Sequence, residues 1–409
     1  MLCSHHGIER CADVESAIKK AKSFLAREGF SIKSVSVGRS IKTTHLEILS
    51  RDGCCINGCG KGVLRQSMAS AIFEALEHVY TQTYNEKNKP NPKPKIIDLN
   101  GEDNYLSSAT PYLEKIIKND ELYFSRLPFL DVLTLEKIEY PAFLVHPRYK
   151  ATSPEELSSI NDYSLMRYSS NSGSAAGVNI NEATLHGMLE LIERDAIGVA
   201  LLKSIFKKNP DPVRSVRLWT LPESIQRLLH ALSRQENVKI EIFDITNDTS
   251  LPSFMSFIEV VSTGERFFGS GTSTNSEYAV ERSILESLQY LHISRHIGRP
   301  TPRRRKPSIV TGIKYISAYL EGGIFQYRGG SNSVDFIEVN NLAHSLELKI
   351  KDIASHLAKI GVNFYRRVIV DDEVAVVQIV APKLERFHLV ARGVIVLPGY
   401  RGHQILATN

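Results

Sequence analysis

The chain has 409 residues, 42 % hydrophobic and 23 % charged, enough to bury a sizeable core and far from the composition of a disordered or low-complexity protein. Its formal charge of +5 is compatible with an anionic nucleotide or an acidic peptide but too small to argue for nucleic-acid binding. Met1 to Arg10 carries Cys3, His5, His6 and Glu9 in place of an apolar signal region, and no run approaches the about 18 apolar residues of a membrane span, so a cytoplasmic protein is expected.

Residues 14–28 follow helical spacing, with Val14, Ala17, Ile18, Ala21, Phe24 and Leu25 as the apolar face and Gly29 as the stop. Strand-like stretches come next at 31–37 and 44–49. Residues 54–62 read as a glycine-rich turn entering an apolar helix from about Ser67 to Gln82. The odd number of cysteines (Cys3, Cys11, Cys54, Cys55, Cys59) makes a poor disulfide framework, and Cys54, Cys55 and Cys59 lack paired zinc-site spacing, so free thiols are expected. The segment from Asn85 to Lys95, with Pro90, Pro92 and Pro94, reads as an exposed excursion, and the basic run Arg303 to Lys306 as a loop. A Ser/Asn/Gly-rich loop at 169–177 leads into a long helix at 181–204. Strands are expected at 238–243, 254–261 and 266–269, a third long helix at about 277–295, and a hairpin from 363–370 and 374–380. No internal repeat is evident. Strands and helices mix without regular βαβ alternation, so the fold class is α+β, or mixed α/β, in a single domain over 1–409.

Three of the helices carry carboxylates in apolar company. Ser70, Glu74 and Glu77 stand at i, i+4 and i+7; Glu182, His186, Glu190 and Glu193 fall within about an 80° arc, with Arg194 beside it; Arg282, Glu286 and Gln289 repeat the first spacing, with Glu281 adjacent. Their neighbours are mostly Ala, Ile, Leu, Met and Phe, which places the stripes in enclosed surroundings where a carboxylate needs a cation or a donor. Arg194 and Arg282 alone cannot neutralise Glu74, Glu77, Glu182, Glu190, Glu193, Glu281 and Glu286. Hard divalent cations with oxygen ligands can, and Mg2+ typically combines one or two carboxylates with phosphate oxygens, which points to a magnesium nucleotide. Gly58, Gly60, Lys61 and Gly62 do not form the Gly-x4-Gly-Lys-Ser/Thr phosphate loop, because Val63 follows.

The motif set Asn57-Gly58-Cys59-Gly60-Lys61-Gly62 with Ser70-x3-Glu74-x2-Glu77, Ser169 to Gly177 with Glu182, His186-Gly187, Glu190 and Glu193-Arg194-Asp195, and Glu281-Arg282-x3-Glu286-x2-Gln289 resembles the YcaO family in order and spacing over residues 10–295. The resemblance implies a YcaO fold with ATP and Mg2+ between the carboxylate-bearing helices. It implies Glu74, Glu77, Glu190, Glu193 and Glu286 as metal ligands or their supports, and Ser16, Ser70, Asn171, Glu182, Arg194, Arg282 and Gln289 as nucleotide contacts. Arg10 stands in for a basic N-terminal phosphate contact. Catalysis is expected to depend on Glu190, Glu193 and Arg194.

Members of the family phosphorylate a backbone amide oxygen so that a nucleophile can add at that carbon, a task of positioning and charge stabilisation. The implied activity is cyclodehydration of Cys, Ser or Thr to azolines in a ribosomally made peptide, such as a bacteriocin. Thioamidation with a TfuA-like partner, or a non-catalytic nucleotide-binding accessory role, are the alternatives. His78 departs from the Arg of many members, and the chain ends in His403 to Asn409 without the proline-rich terminus of many azoline-forming ones. With the motifs starting near residue 10 and the hairpin-bearing part at about 307–409, no fused leader-binding domain is expected; a separate E1-like, leader-binding or TfuA-like partner is, and a homodimer is left open.

Overall fold

The computed structural model describes residues 8–51, 53–81, 95–97, 122–297, 330–340 and 345–407. Cys3, His5, His6, the excursion from Asn85 up to Pro94, the basic run Arg303 to Lys306 and the last two residues lie outside these.

The first helix, α1 (Val14–Arg27), starts where Asp13 accepts the Ser16 N–H at 2.9 Å and buries Ile18, Ala21, Phe24 and Leu25. Gly29 ends it at φ +83°. Three antiparallel strands, β1 (Ser31–Val37), β2 (Lys42–Leu49) and β3 (Cys55–Gly62), lead to α2 (Leu64–Thr81). Residues 54–62, expected as a turn, are thus mostly strand, paired with β2 from Lys42↔Gly62 to Leu49↔Cys55. Packing is the reason for the glycines. A Cβ at Gly58 would lie 2.2 Å from the carbonyl oxygen of Ala71, and one at Gly60 1.9 Å from that of Ser67, so glycine lets α2 lie directly on the strand.

Next come the paired strands β4 (Lys95–Ile97) and β5 (Leu122–Phe124), the hairpin β6 (Arg126–Asp131) and β7 (Lys137–Pro141), α3 (Pro154–Asp162) and β8 (Ser174–Gly177). The long central helix α4 (Ile180–Leu201) is capped by Asn179 and runs into one π turn at Leu202–Phe206. Strand β9 (Val213–Val216), α5 (Glu223–Glu236), the antiparallel β10 (Val238–Asp244), β11 (Ser253–Val260) and β12 (Arg266–Thr272), and α6 (Ser276–His292) follow. The chain closes with β13 (Ser331–Val334), α7 (Leu346–Ala358), the expected hairpin as β14 (Tyr365–Asp371) and β15 (Ala375–Val380), and α8 (Tyr400–Ala407). The class is mixed α+β: one three-stranded sheet, a five-stranded sheet β12-β11-β10-β9-β13 and a second five-stranded sheet β7-β6-β14-β15-β8, besides the β4–β5 pair.

An internal repeat is present after all. The order α1-β1-β2-β3-α2 recurs as α5-β10-β11-β12-α6. In the second unit Gly269 and Gly271 lie under α6 as Gly58 and Gly60 lie under α2: their Cβ atoms would stand 2.3 Å from Ser287 N and 2.3 Å from Ala279 O. The backbone N–H between each glycine pair donates to a glutamate of the covering helix, Cys59 to Glu74 at 3.2 Å and Ser270 to Glu286 at 3.0 Å. Helix α4 sits between the two units. Its apolar residues Leu185, Met188, Leu189 and Ile192 pack with Ile353, Leu357, Val377 and Ile379, while Ala196, Ile197, Leu201 and Leu202 join a core with Phe129, Phe143, Phe257 and Phe387.

Candidate functional site

Helices α2, α4 and α6 converge on one cavity of about 340 Å³. From α2 come Ser70, Glu74 and Glu77; from the loop before β8, Asn171; from α4, Glu182, His186, Glu190, Glu193 and Arg194; from α6, Arg282, Glu286 and Gln289. Arg10 enters from a strap of irregular chain that precedes α1. Among the residues expected as contacts, Ser16 is not in this wall: it lies exposed on the first turn of α1, with both its N–H and its hydroxyl donating to Asp13. Glu281 is buried but is not among the residues that line the cavity.

The carboxylates fall into two groups. Glu193 is saturated with donors: Ser270 Oγ at 2.8 Å, the Thr272 N–H at 3.1 Å and Arg194 Nη1 at 3.0 Å, with Arg282 Nη2 at 3.8 Å. Glu182 accepts from Arg10 Nη1 at 3.0 Å and the Cys11 N–H at 3.2 Å. Glu286 accepts the Ser270 N–H and faces Lys61 Nζ at 3.6 Å; burial pushes its carboxyl up, but Lys61, Arg194 and that N–H outweigh it and hold it below its ordinary value. Glu190 accepts the Gly173 N–H at 3.3 Å and faces Arg194 Nη2 at 3.4 Å.

Glu74 and Glu77 are different. Burial pushes Glu74 up to about 7 despite the Cys59 N–H and Lys61. Burial and the nearby Glu190 carry Glu77 well above the carboxylate range, with the Ala176 N–H at 3.1 Å working against them. His186 Nε2 lies 4.0 Å from Glu77, yet burial and then the surrounding cations Arg282, Arg10, Lys61 and Arg194 drive the imidazole well below its usual value, so it stays neutral and offers Glu77 no positive charge.

This donor set fits a magnesium nucleotide. Burial penalises the charge of Glu74 and Glu77 more than the donors around them offset; a hard cation would supply the missing compensation, and Mg2+ needs only one or two carboxylates. Among the described residues no group of three or more His, Cys, Asp or Glu is already assembled as a metal shell. On the opposite charge, Arg194 Nε is buried without a hydrogen-bond partner among the described residues, and Arg10, Lys61 and Arg282 share its wall. An anionic occupant answers that arrangement.

Several lining residues were missed from sequence. Lys61 falls within the expected turn; with residues 55–62 as a strand, the alternation Cys59, Lys61 against Gly58, Gly60 and Gly62 puts it on the cavity side. Tyr278 lines the cavity one turn before Arg282 and extends the 282, 286, 289 stripe, a signal that was available. The free thiols Cys11, Cys54 and Cys55 are exposed and Cys59 is half-buried on β3.

A model of the family described as YcaO cyclodehydratase, ATP- and Mg2+-binding, matches residues 59–385. An uncharacterized protein in the tfuA 3′ region of Rhizobium leguminosarum bv. trifolii is 25 % identical over 183 residues, 42 % of this chain and 40 % of that protein. An uncharacterized protein of Methanothermobacter thermautotrophicus is 26 % identical over 280 residues, 64 % of this chain and 67 % of that one. Among solved structures, YcaO from Methanopyrus kandleri bound with AMPPCP and Mg2+ superposes with a TM-score of 0.68 at 19 % identity, covering 97 % of this chain and 99 % of that one. A heterocyclase in complex with substrate and cofactor gives 0.64 at 16 %, covering 92 % of this chain but 52 % of its own length. The E. coli microcin synthetase McbBCD complex gives 0.58 at 16 %, covering 87 % and 88 %. At such identities these structures speak for the fold alone. Among the described residues no helix is long and apolar enough to cross a membrane.

Proposed function

The chain belongs to the YcaO family, and on that premise we propose that its cavity takes ATP with Mg2+ and uses it to activate a backbone amide of a ribosomally made peptide or protein. The observation that carries this reading is the meeting, in one enclosed space, of Glu74 and Glu77, whose charge burial suppresses, with the cationic wall of Arg10, Lys61, Arg194 and Arg282.

Glu74, Glu77 and Glu190 are the residues that would hold Mg2+. Arg10, Lys61, Arg194 and Arg282 would oppose the charge of the triphosphate, with Ser70, Asn171 and Gln289 as polar contacts. When bound, the nucleotide supplies the phosphoryl group that turns the amide oxygen into a leaving group. Glu193 serves as the anchor of two arginines: its hold on Arg194 and Arg282 fixes both guanidinium groups before the substrate arrives, which is where charge stabilisation is most effective. His186 remains uncharged beside the carboxylates and adds no repulsion to an incoming cation.

A nucleophile from a neighbouring Cys, Ser or Thr of the substrate gives an azoline, the leading reading, in line with the heterocyclase and microcin synthetase among proteins of this fold. The position of one relative in the tfuA 3′ region favours a second reading, thioamidation by external sulfide with a TfuA-like partner. Incubating the chain with ATP, Mg2+, a Cys-containing peptide encoded beside its gene and the neighbouring partner protein, with and without added sulfide, separates them by mass: a loss of about 18 Da without sulfide marks an azoline, a sulfide-dependent gain of about 16 Da a thioamide. Nucleotide binding with an unmodified peptide leaves the accessory role, and a chain that neither binds nor consumes ATP refutes the proposal.

A further inference from the structure

Residues 8–13 form no regular secondary structure, yet the strap they make is pinned to three distant elements. Ile8 offers its carbonyl to Lys349 Nζ of α7 at 2.5 Å. Glu9 is 6 % exposed, and its Oε1 accepts from Ser273 Oγ at 2.6 Å, the Thr274 N–H at 3.0 Å and Thr274 Oγ1 at 3.2 Å. Arg10 and the Cys11 N–H then reach Glu182 of α4. A buried carboxylate with three donors on one oxygen is a fixed point, and here it lies between the strap and the turn joining β12 to α6.

The same turn serves two carboxylates. Thr272 donates to Glu193, and the next two residues, Ser273 and Thr274, donate to Glu9. Both carboxylates face the guanidinium of Arg282 from different nitrogens, Glu193 Oε2 at 3.8 Å from Nη2 and Glu9 Oε2 at 3.9 Å from Nη1. Arg282 is therefore bracketed, with one bracket supplied by the strap. Glu9 also lies outside residues 59–385, the span matched by the family model.

We propose that Glu9 is a positioning residue: it clamps the strap so that Arg10 enters the cavity, and it holds Arg282 from the side opposite Glu193. This rests on the reading that the cavity takes a magnesium nucleotide. Neither arginine then has to be ordered at the moment of binding, and a long, rotamer-rich side chain fixed in advance loses less entropy when it meets its anion.

The test is calorimetric titration of AMPPCP with Mg2+ into the wild type, Glu9→Ala, Glu9→Gln, Arg10→Ala and the Glu9→Ala/Arg10→Ala double variant, with amide hydrogen exchange at Cys11 and Thr274. Glu9→Ala is expected to weaken binding about tenfold, the scale of one charge-assisted hydrogen bond, and to speed exchange at both amides. Glu9→Gln, which keeps the shape, is expected to fall between, and it carries the test if Glu9→Ala fails to fold. The double variant is expected to bind more tightly than the product of the two single losses requires, because Glu9 acts partly through Arg10. Wild-type affinity in both Glu9 variants, or strict multiplication of the single losses, overturns the positioning role alone. Failure of the wild type to bind overturns the nucleotide reading and this role with it.

Discussion

Gln289 on α6 donates through Nε2 to the backbone carbonyl of Cys59 on β3 at 3.0 Å. The N–H of the same Cys59 donates to Glu74, so one strand residue ties a glutamate of the first αβββα unit to a side chain of the second. The bond lies in the cavity wall and joins the two units, beside the buried contact of Thr43 with His292. Gln289→Leu keeps roughly the volume and removes the donor, leaving that carbonyl to lose its partner. We expect a loss of about 1–2 kcal/mol in urea unfolding together with weaker nucleotide binding; an unchanged midpoint contradicts the structural tie.

The protonation of Glu74 sets a pH dependence with a definite sign. Its folded-state value is about 7 against an ordinary 4.5, so the folded protein keeps a proton that the unfolded chain releases. The contribution to stability is complete below pH 4.5 and is lost as pH rises through 7. His186, held low by burial, works in the other direction: its contribution is present at high pH and is lost as pH falls below its ordinary value. Comparing Glu74→Gln with the wild type in metal-free buffer isolates the carboxyl: the variant should gain melting temperature relative to the wild type as pH rises from about 5 to about 8. A difference that stays flat with pH contradicts the shift.

Gly60 carries a steric prediction. Its missing Cβ is what lets α2 approach to 1.9 Å from where that atom would be, so Gly60→Ala must push strand and helix apart, at a cost of about 3 kcal/mol. Gly53 is the control. It has φ +82° and nothing within 4 Å of its Cβ position, so Gly53→Ala meets backbone strain only, about 1–2 kcal/mol. Denaturant unfolding of the two variants should rank them in that order, and the reverse order would remove the packing explanation for the glycines of β3.

Behind the cavity, Asp195 follows Arg194 on α4 and is completely buried. Its oxygens receive the Asn247 amide at 2.7 Å and the Glu385 N–H at 2.8 Å, and Arg401 Nε of α8 lies 2.9 Å away. Arg401→Met leaves that carboxylate buried without its cation, and a destabilisation of about 3–5 kcal/mol is expected. Adding Asp195→Asn to Arg401→Met should recover part of the loss. If the double variant is no better than Arg401→Met, the pair is not what holds α8 on α4.

The carboxylate stripes were readable from sequence because helical spacing survives without knowledge of the partner: Ser70, Glu74 and Glu77, Glu190, Glu193 and Arg194, and Arg282, Glu286 and Gln289 all reach the same cavity. The glycines of β3 misled for a physical reason. Glycine permits a turn and also permits close approach, and only the helix lying on the strand distinguishes them. The internal repeat escaped because its two units share a Gly-x-Gly pair and a helix stripe, while the residues paired with those glycines differ, Thr44 and Leu46 in the first unit against Phe254 and Ser256 in the second. Glu9 could not be found by local pattern, since its partners Ser273 and Thr274 lie 264 and 265 residues away. The division between a saturated Glu193 and an under-compensated Glu77 is likewise tertiary: spacing puts both on inward stripes, and only the surrounding donors separate their roles.

Calorimetric titration of AMPPCP into the wild type and Glu77→Gln, each with and without Mg2+, bears most directly on the magnesium-nucleotide cavity. Binding to the wild type that requires Mg2+, abolished or weakened by about a hundredfold in Glu77→Gln while the metal-free variant melts no lower than the wild type, is the expected result. Equal, Mg2+-independent binding by both proteins, or none by the wild type, would contradict it.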